Sequence, residues 1–476
     1  VNDVQTIKQR FEELDGERRT ILDRKRECAE YTHPIVLPPE SYTDQDELDT
    51  PLNSAPAIGS TALAAKIANS VLPTNGSSIV TPEIPVPSGV PDNVIEMVTN
   101  TITAYDRQVM AYLQSSNFRS QLHDISLDLV VVGDALLEML PNGQYRKHRL
   151  DNYVVVRKED GSIHELIIRV WVDPKTLDTE YQNRVGPSEV QAGSRRLEPK
   201  FIKVCWETDR YYVTEEFRGV SKNIGDYLVL PYFALKTGGS ASDNYGRSII
   251  ESLLGDIRSL MAHSLALLQG SAANSEFRLC VDPQGVTEMP HMANSVNGQW
   301  VTARAQDIHV MQLGNPVQVQ ITMAAVEKYE AAILRALLYD LVYAGQNRDR
   351  VTATEINATI QAIESGLSGL LSSITQELHI PLVRRLSVKM AMDEQLDEPV
   401  RAIAQNVVSG NAPLRLRSGI EALHREIKAM RLVQAVNIMS TMPPQASTDV
   451  KWANVVFDLM AGFGFEGARY LLTAEE

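Results

Sequence analysis

Two apolar stripes of helical period flank a stretch too rich in proline and glycine to continue either of them. Upstream, Ile250, Leu253, Leu254, Ile257, Leu260, Met261, Leu265 and Leu268 recur every three or four positions over residues 247–274. Downstream, Met323, Val326, Ile333, Leu334, Leu337, Leu338, Leu341 and Val342 do the same over 321–343. Such spacing predicts amphipathic helices, the first roughly 40 Å long. Between them, residues 277–320 carry Pro283, Gly285, Pro290, Gly298, Gly314 and Pro316 and read as irregular and strand-like. A long helix, a compact excursion and a second helix of similar length predict an antiparallel helix pair with a knob at its far end. The off-stripe positions of the first helix are rich in Ser, Ala and Gly, so neighbours can approach it closely.

The second helix runs into AGQNRDRVTATEI, a basic turn holding Arg348 and Arg350. Thr352 and Glu355 fit a capping box that starts a third helix over about 353–379. Gly366 and Gly369 lie within one turn of it and mark an expected bend. Pro381 follows, with the helix continuing to about 392.

Upstream of the helix pair the texture alternates. Val4, Ile7, Phe11, Leu14, Ile21, Leu22, Cys28 and Tyr31 predict one helix over 4–31. Further helices are expected over 59–72, ended by Pro73, and in the two stretches DNVIEMVTNTITAYDRQVMAYLQSS and SQLHDISLDLVVVGDALLEML. Residues 137–235 then read as a β-rich insert. YVVVRKEDGSIHELIIRVWV places two β-branched runs around Asp160-Gly161, a hairpin signal. Lys200–Glu207, Tyr211–Phe217 and YLVLPYFAL supply three more strand-like runs. From 400 to 476 the chain reads as shorter helices separated by SGNAP and STMPPQAST. The fold class is therefore α+β, mostly helical.

Chemistry is sparse. No phosphate-binding G-x-x-x-x-G-K-[ST] loop, no G-x-S-x-G elbow and no H-E-x-x-H spacing occurs. His123-Asp124 is the nearest approach to a ligand pair and lacks converging partners. Gly462, Gly464 and Gly467 match G-x-G-x-x-G but follow helix, with no βαβ unit downstream, so they read as a turn. Arg415, Arg417, Arg425, Lys428 and Arg431 are interleaved with Glu421 and Glu426, as on a solvated face. Trp171, Trp206 and Trp300 read as core or interface anchors. Cys28, Cys205 and Cys280 are far apart and give neither a disulfide framework nor a zinc knuckle. No apolar run of about 18 residues exists, and the charged start is not a secretory signal. A net charge of −15 opposes tight phosphate binding. No catalysis, cofactor, metal or membrane is expected.

The order of parts is similar to a known family. DNYGRSIIESLLGDIRSLMAHSLALLQGSAANSEFRLCVDPQGVT, NGQWVTARAQDIHVMQL and RVTATEINATIQAIESGLSGLLSSITQELHIPLVRRL resemble the portal (head–tail connector) proteins of short-tailed bacteriophages. RECAEYTHPIVLPPE, ALAAKIANSVLP and the YVVVRKEDGSI hairpin fit as well, and the resemblance reaches from near residue 10 to LLTAEE. Members commonly continue into a helical barrel and tail beyond the position of Glu476, and the leading Val1 suggests a longer product.

The resemblance implies a portal-type fold that closes into a ring, usually dodecameric, at one vertex of a phage head. Residues 1–246 would form the wing, 247–276 and 321–343 the two stem helices, and 277–320 the clip. Residues 344–352 would be the channel loop, 353–399 a bent helix returning through the wing, and 400–476 a helical crown. The implied function is a conduit through which double-stranded DNA is packaged and ejected. The clip would dock terminase and later the tail adaptor, with major capsid and scaffolding or internal core proteins as further neighbours. Gln346, Asn347, Arg348 and Arg350 would face the DNA weakly and without sequence preference. Ala266 and Ala332, small residues on the stem, would pack against the next subunit. The alternative is a head or tail adaptor or scaffold that forms no ring and no channel. The implied setting is the virion, after assembly in the host bacterial cytoplasm.

Overall fold

The computed structural model describes residues 6–40, 42–43, 46–72, 79–84, 91–174, 197–275, 277–281, 308–312, 316–339 and 369–416, with isolated positions between 294 and 304. Two helices open the chain, α1 (Ile7–Glu17) and α2 (Arg19–Glu30). The periodicity predicted one helix here. It breaks at Arg18, whose side chain is drawn inside. Arg18 is 2% exposed, donates from Nη1 to the Leu150 carbonyl at 2.9 Å and lies 5.5 Å from the Tyr245 ring centre.

Three helices follow: α3 (Ala55–Val71), α4 (Asp92–Gln114) and α5 (Phe118–Val131). A short strand, β1 (Val80–Pro82), precedes α4. DALLEM, read above as helix, is instead a fully buried strand, β2 (Asp134–Met139). Gly133 takes φ +81°, a left-handed turn that ends α5 at little cost only in glycine. Pairing then overrides the local helix preference of Ala and Leu. β2 sits between β3 (Tyr145–His148) and β9 (Tyr232–Lys236) in an antiparallel sheet.

The remaining strands make a five-stranded antiparallel meander: β4 (Tyr153–Arg157), β5 (Ile163–Val172), β6 (Glu198–Glu207), β7 (Arg210–Phe217) and β8 (Val220–Tyr227). The Asp160-Gly161 hairpin is present, with Gly161 at φ +84°. The sequence reading missed β8, whose SKNIGDY core is polar on both sides of Ile224. It is an edge strand, so half of it meets water. A bulge opposite Val213/Thr214 and Lys222 on the edge discourage pairing with a stranger. Trp206 stacks edge-on against Tyr211 at 4.5 Å, whereas Trp171 and Trp300 are 49% and 100% exposed. Neither of those two is a core anchor within this chain.

The helix pair is α6 (Ile249–Ser275) and α7 (Pro316–Ala336). The second helix starts five residues earlier than its apolar stripe predicted, because Pro316 supplies a first-turn residue that needs no N–H partner. It stops at Ala336, and Leu338 has φ +57°. Between the pair, β10 (Phe277–Val281) and β11 (Ile308–Gln312) form an antiparallel ladder from Phe277↔Gln312 to Val281↔Ile308.

Residues 369–392 are helical throughout, despite Pro381. The chain absorbs the proline with a π-helical turn, Thr375–His379, immediately before α8 (Ile380–Met392). A proline clashes with the carbonyl four residues back, here Glu377, and widening the turn relieves that clash. Gly369 lies in the first described turn with open space around it, and among the described residues the irregularity falls at 375–379. α9 (Glu398–Val408) and β12 (Leu414–Leu416) close the described chain, with β12 paired to β1.

One large core holds α3, α4, α5, α6, α8 and α9 together through residues such as Leu63, Ile67, Tyr105, Phe118, Leu260, Leu382 and Ile403. A second lies between the three-stranded sheet and the meander around Leu136, Leu166 and Val204. Where these meet the root of α6, a buried cation stitches three elements. Lys25 of α2 donates to Val132 O at 2.6 Å, to Gly246 O at 2.9 Å and to the Asp134 carboxylate. Asp134 also accepts from Gly246 N–H at 2.9 Å. Burial pushes the Asp134 carboxyl above its ordinary range, against the pull of Lys25.

Candidate ring interface on the helical hairpin

α6 and α7 run antiparallel in a register that the strands continue. His263 stacks on Tyr329 with ring centres 5.7 Å apart, and Gly270 lies opposite Val319. Seven residues further along both segments, Phe277 pairs with Gln312. The inner stripe of the pair is filled by Leu254, Ile257, Leu260 and Met261 with Val326, Ile333 and Leu337. Leu337 also presses on α3 at Gly59, where an added Cβ would sit 2.6 Å from Leu337 Cδ1. Exposed ion pairs fasten the root. Arg258 clasps Glu27 with two 2.6 Å bonds, and Arg24 reaches Glu251 at 3.0 Å.

Burial stops halfway along. No residue of α6 beyond Met261 is buried, and α7 buries nothing before Val326. Among the described residues, the distal half of the pair thus projects by about 20 Å with only its own partner for cover. Its apolar side chains stay open: Leu265, Leu268, Val317, Ile321 and Met323 are 42–65% exposed. Ala266 and Ala332 are exposed as well. Five large apolar side chains exposed on one projecting hairpin are the kind of surface that marks protein contact.

The other sequence-predicted residues fare differently. Gln346, Asn347, Arg348, Arg350, Thr352, Glu355 and Gly366 lie outside the described residues. Of the basic stripe, Arg415 falls in β12 and the other four lie outside them too. Among the described residues no three His, Cys, Asp or Glu side chains converge as a metal site, and no helix is long and apolar enough to cross a membrane.

A family model described as bacteriophage head to tail connecting protein matches residues 4–471. The chain belongs to that family. Its curated relatives include the portal protein of Enterobacteria phage T3, 26% identical over 98% of this chain and 88% of the relative. The portal protein of Escherichia phage T7 matches equally, at 26% over the same shares. That of Pseudomonas phage phiKMV is 22% identical over 96% of this chain and 90% of its own length. Among solved structures, a chain in the neck of an empty gene transfer agent particle aligns with a TM-score of 0.37 and 13% identity, covering 81% of this chain and 88% of that one. An alignment that loose carries no residue-level meaning.

Sequence reasoning missed what the connector does around its π turn. Glu377 accepts from Arg157 Nη1 at 3.0 Å and from Lys236 N–H at 2.7 Å, joining the turn to β4 and β9. The only signal in the sequence is Pro381, four residues on. His379, the last residue of the turn, is fully buried, and burial pushes its imidazole down to about 4. Its unfolded counterpart takes a proton near 6.5, so between these values the unfolded chain binds more protons. Stability is therefore lost as pH falls from about 6.5 to about 4, by up to roughly 3 kcal/mol. Asp128 works in the opposite sense. Burial lifts its carboxyl to about 7, against Lys147 at 3.0 Å, so its contribution is present at low pH and lost as pH rises from about 4 to about 7. In the native chain the two partly cancel. His379→Leu is expected to make the connector gain stability on acidification, and Asp128→Asn to make it lose more than the native chain does. Urea melts at pH 7 and pH 5 measure both, and parallel shifts in all three proteins would refute the assignment.

Proposed function

We propose that the connector closes into a ring, about twelve-fold, whose axial hole carries double-stranded DNA into and out of a phage head at one vertex. The projecting hairpin with its uncovered apolar patch carries this reading. A repeated head-to-tail contact covers such a patch in every subunit at once, which a monomer cannot do. Family membership over residues 4–471 supports it independently. In this arrangement the hairpin is the stem and the β10–β11 segment belongs to the clip that docks terminase and then the tail adaptor. Capsid and scaffolding or core proteins meet the wing. The chain's role is structural, without catalysis.

The turn holding Gln346, Asn347, Arg348 and Arg350 lines the channel. Each arginine touches phosphate weakly, and the ring multiplies the contact without creating a deep sequence-specific minimum. The acidic balance of the chain, −15, keeps the duplex off the walls. The Arg348→Ala, Arg350→Ala double variant is expected to package DNA yet retain it poorly in filled heads. DNA retention equal to the native portal's would count against the arginine turn as a brake.

A further inference from the structure

A cavity of about 610 Å³ lies between the free edge of β9, the β4–β5 hairpin turn and the helix that carries the π turn. Its volume falls in the range of sites that hold a ligand, roughly 300–1,000 Å³. β9 pairs with β2 on one side only. The pleat turns Lys236 N–H and Ala234 C=O outward, where they meet Glu377 at 2.7 Å and Arg157 Nη2 at 3.0 Å. The same pleat turns Ala234 N–H and both backbone groups of Tyr232 outward. None of these three has a partner among the described residues. Arg157 adds a fourth unmet group. Its side chain is 3% exposed, and its Nε–H is buried without an acceptor. Unpaired backbone along a strand edge, inside a cavity, is the arrangement that accepts another strand.

The charge of the slot selects its occupant. Arg157 and Glu377 neutralise each other at 3.0 Å, and Lys236 spends its ammonium on the Ser240, Ala241 and Asp243 carbonyls. Arg384 remains at the mouth, exposed and with no partner among the described residues. Asp160 at the opposite wall is already held by Ser162 N–H and Oγ. An otherwise acidic chain thus keeps an open cation beside a strand edge whose outward backbone groups are only partly met. We propose that this slot binds an extended peptide of a partner protein by strand addition to β9, with an acidic side chain of the peptide seated on Arg384. Main-chain bonds to Tyr232 and Ala234 supply the pairing, and Arg384 supplies the preference.

Fluorescence anisotropy with labelled, end-blocked hexapeptides tests this on the full-length assembled protein. The probes alternate valine with glutamate, valine with lysine, or are the glutamate peptide N-methylated along one edge. The glutamate peptide is expected to bind at least tenfold tighter than either of the others. Arg384→Glu, a surface change expected to leave the melting temperature alone, is expected to invert the preference towards the lysine peptide. Full competition by free glutamate would reduce the slot to an anion site and overturn strand addition. Equal affinity for all three peptides, no binding by any, or indifference to Arg384→Glu would each overturn the proposal.

Discussion

Replacing Lys25 by methionine is expected to destabilise the connector by about 3–5 kcal/mol, the usual cost of leaving one member of a buried pair behind. Lys25 is 1% exposed and Asp134 is 4% exposed, so water cannot take the place of the lost ammonium. Two backbone carbonyls, those of Val132 and Gly246, lose their donor in the same step. Adding Asp134→Asn to Lys25→Met is expected to restore a large part of the loss. The amide removes the orphaned charge and still accepts from Gly246 N–H. Chemical denaturation of the two singles and the double gives the coupling directly. A double variant no more stable than Lys25→Met would mean that the pair is not what holds this junction. The junction matters because Gly246 precedes α6, so the pair fixes the direction in which the long helix leaves the sheets.

The second large effect is on assembly. Charging the patch, as in Leu268→Glu with Ile321→Glu, is expected to abolish the proposed ring while leaving the chain folded. Burial of each such side chain in a subunit contact stabilises it by about 1.5–3 kcal/mol. An ionised carboxylate in its place adds a desolvation cost. Both positions are more than half exposed in the single chain, so its own fold should not suffer. A bulky charge at Ala266 or Ala332 is expected to act in the same direction. Native mass spectrometry reads the result as loss of a species of roughly 600 kDa, twelve times the 52.8 kDa chain. Persistence of that species with circular dichroism unchanged would remove the hairpin patch from the interface.

What the sequence revealed and what it hid follow from the range of the forces involved. The helical hairpin was legible because a 3.6-residue stripe records one long buried face, and Ile257, Leu260 and Ile333 sit where that stripe put them. The Asp160-Gly161 hairpin was legible because its turn chemistry is local. β2 was not, since DALLEM favours helix until β3 and β9 flank it. The break at Arg18 and the Lys25–Asp134 pair depend on partners more than a hundred residues away, Leu150 and Asp134, and no local pattern announces them. The π turn is an intermediate case. Pro381 announces a disturbance, but the bonds that Glu377 accepts from Arg157 and Lys236, which hold the widened turn, come from distant strands. Of the predicted site, Ala266 and Ala332 lie exposed on the projecting hairpin. The arginine turn rests on family resemblance and on charge.

End-on electron-microscope views of the assembled protein, with a heavy-atom label on a cysteine placed at Arg348, bear most directly on the whole account. A closed annulus with an open centre wide enough for a DNA duplex, and label density on its inner rim, is the predicted result. Particles filled at the centre, open arcs or small oligomers, or label on the outer circumference would contradict it.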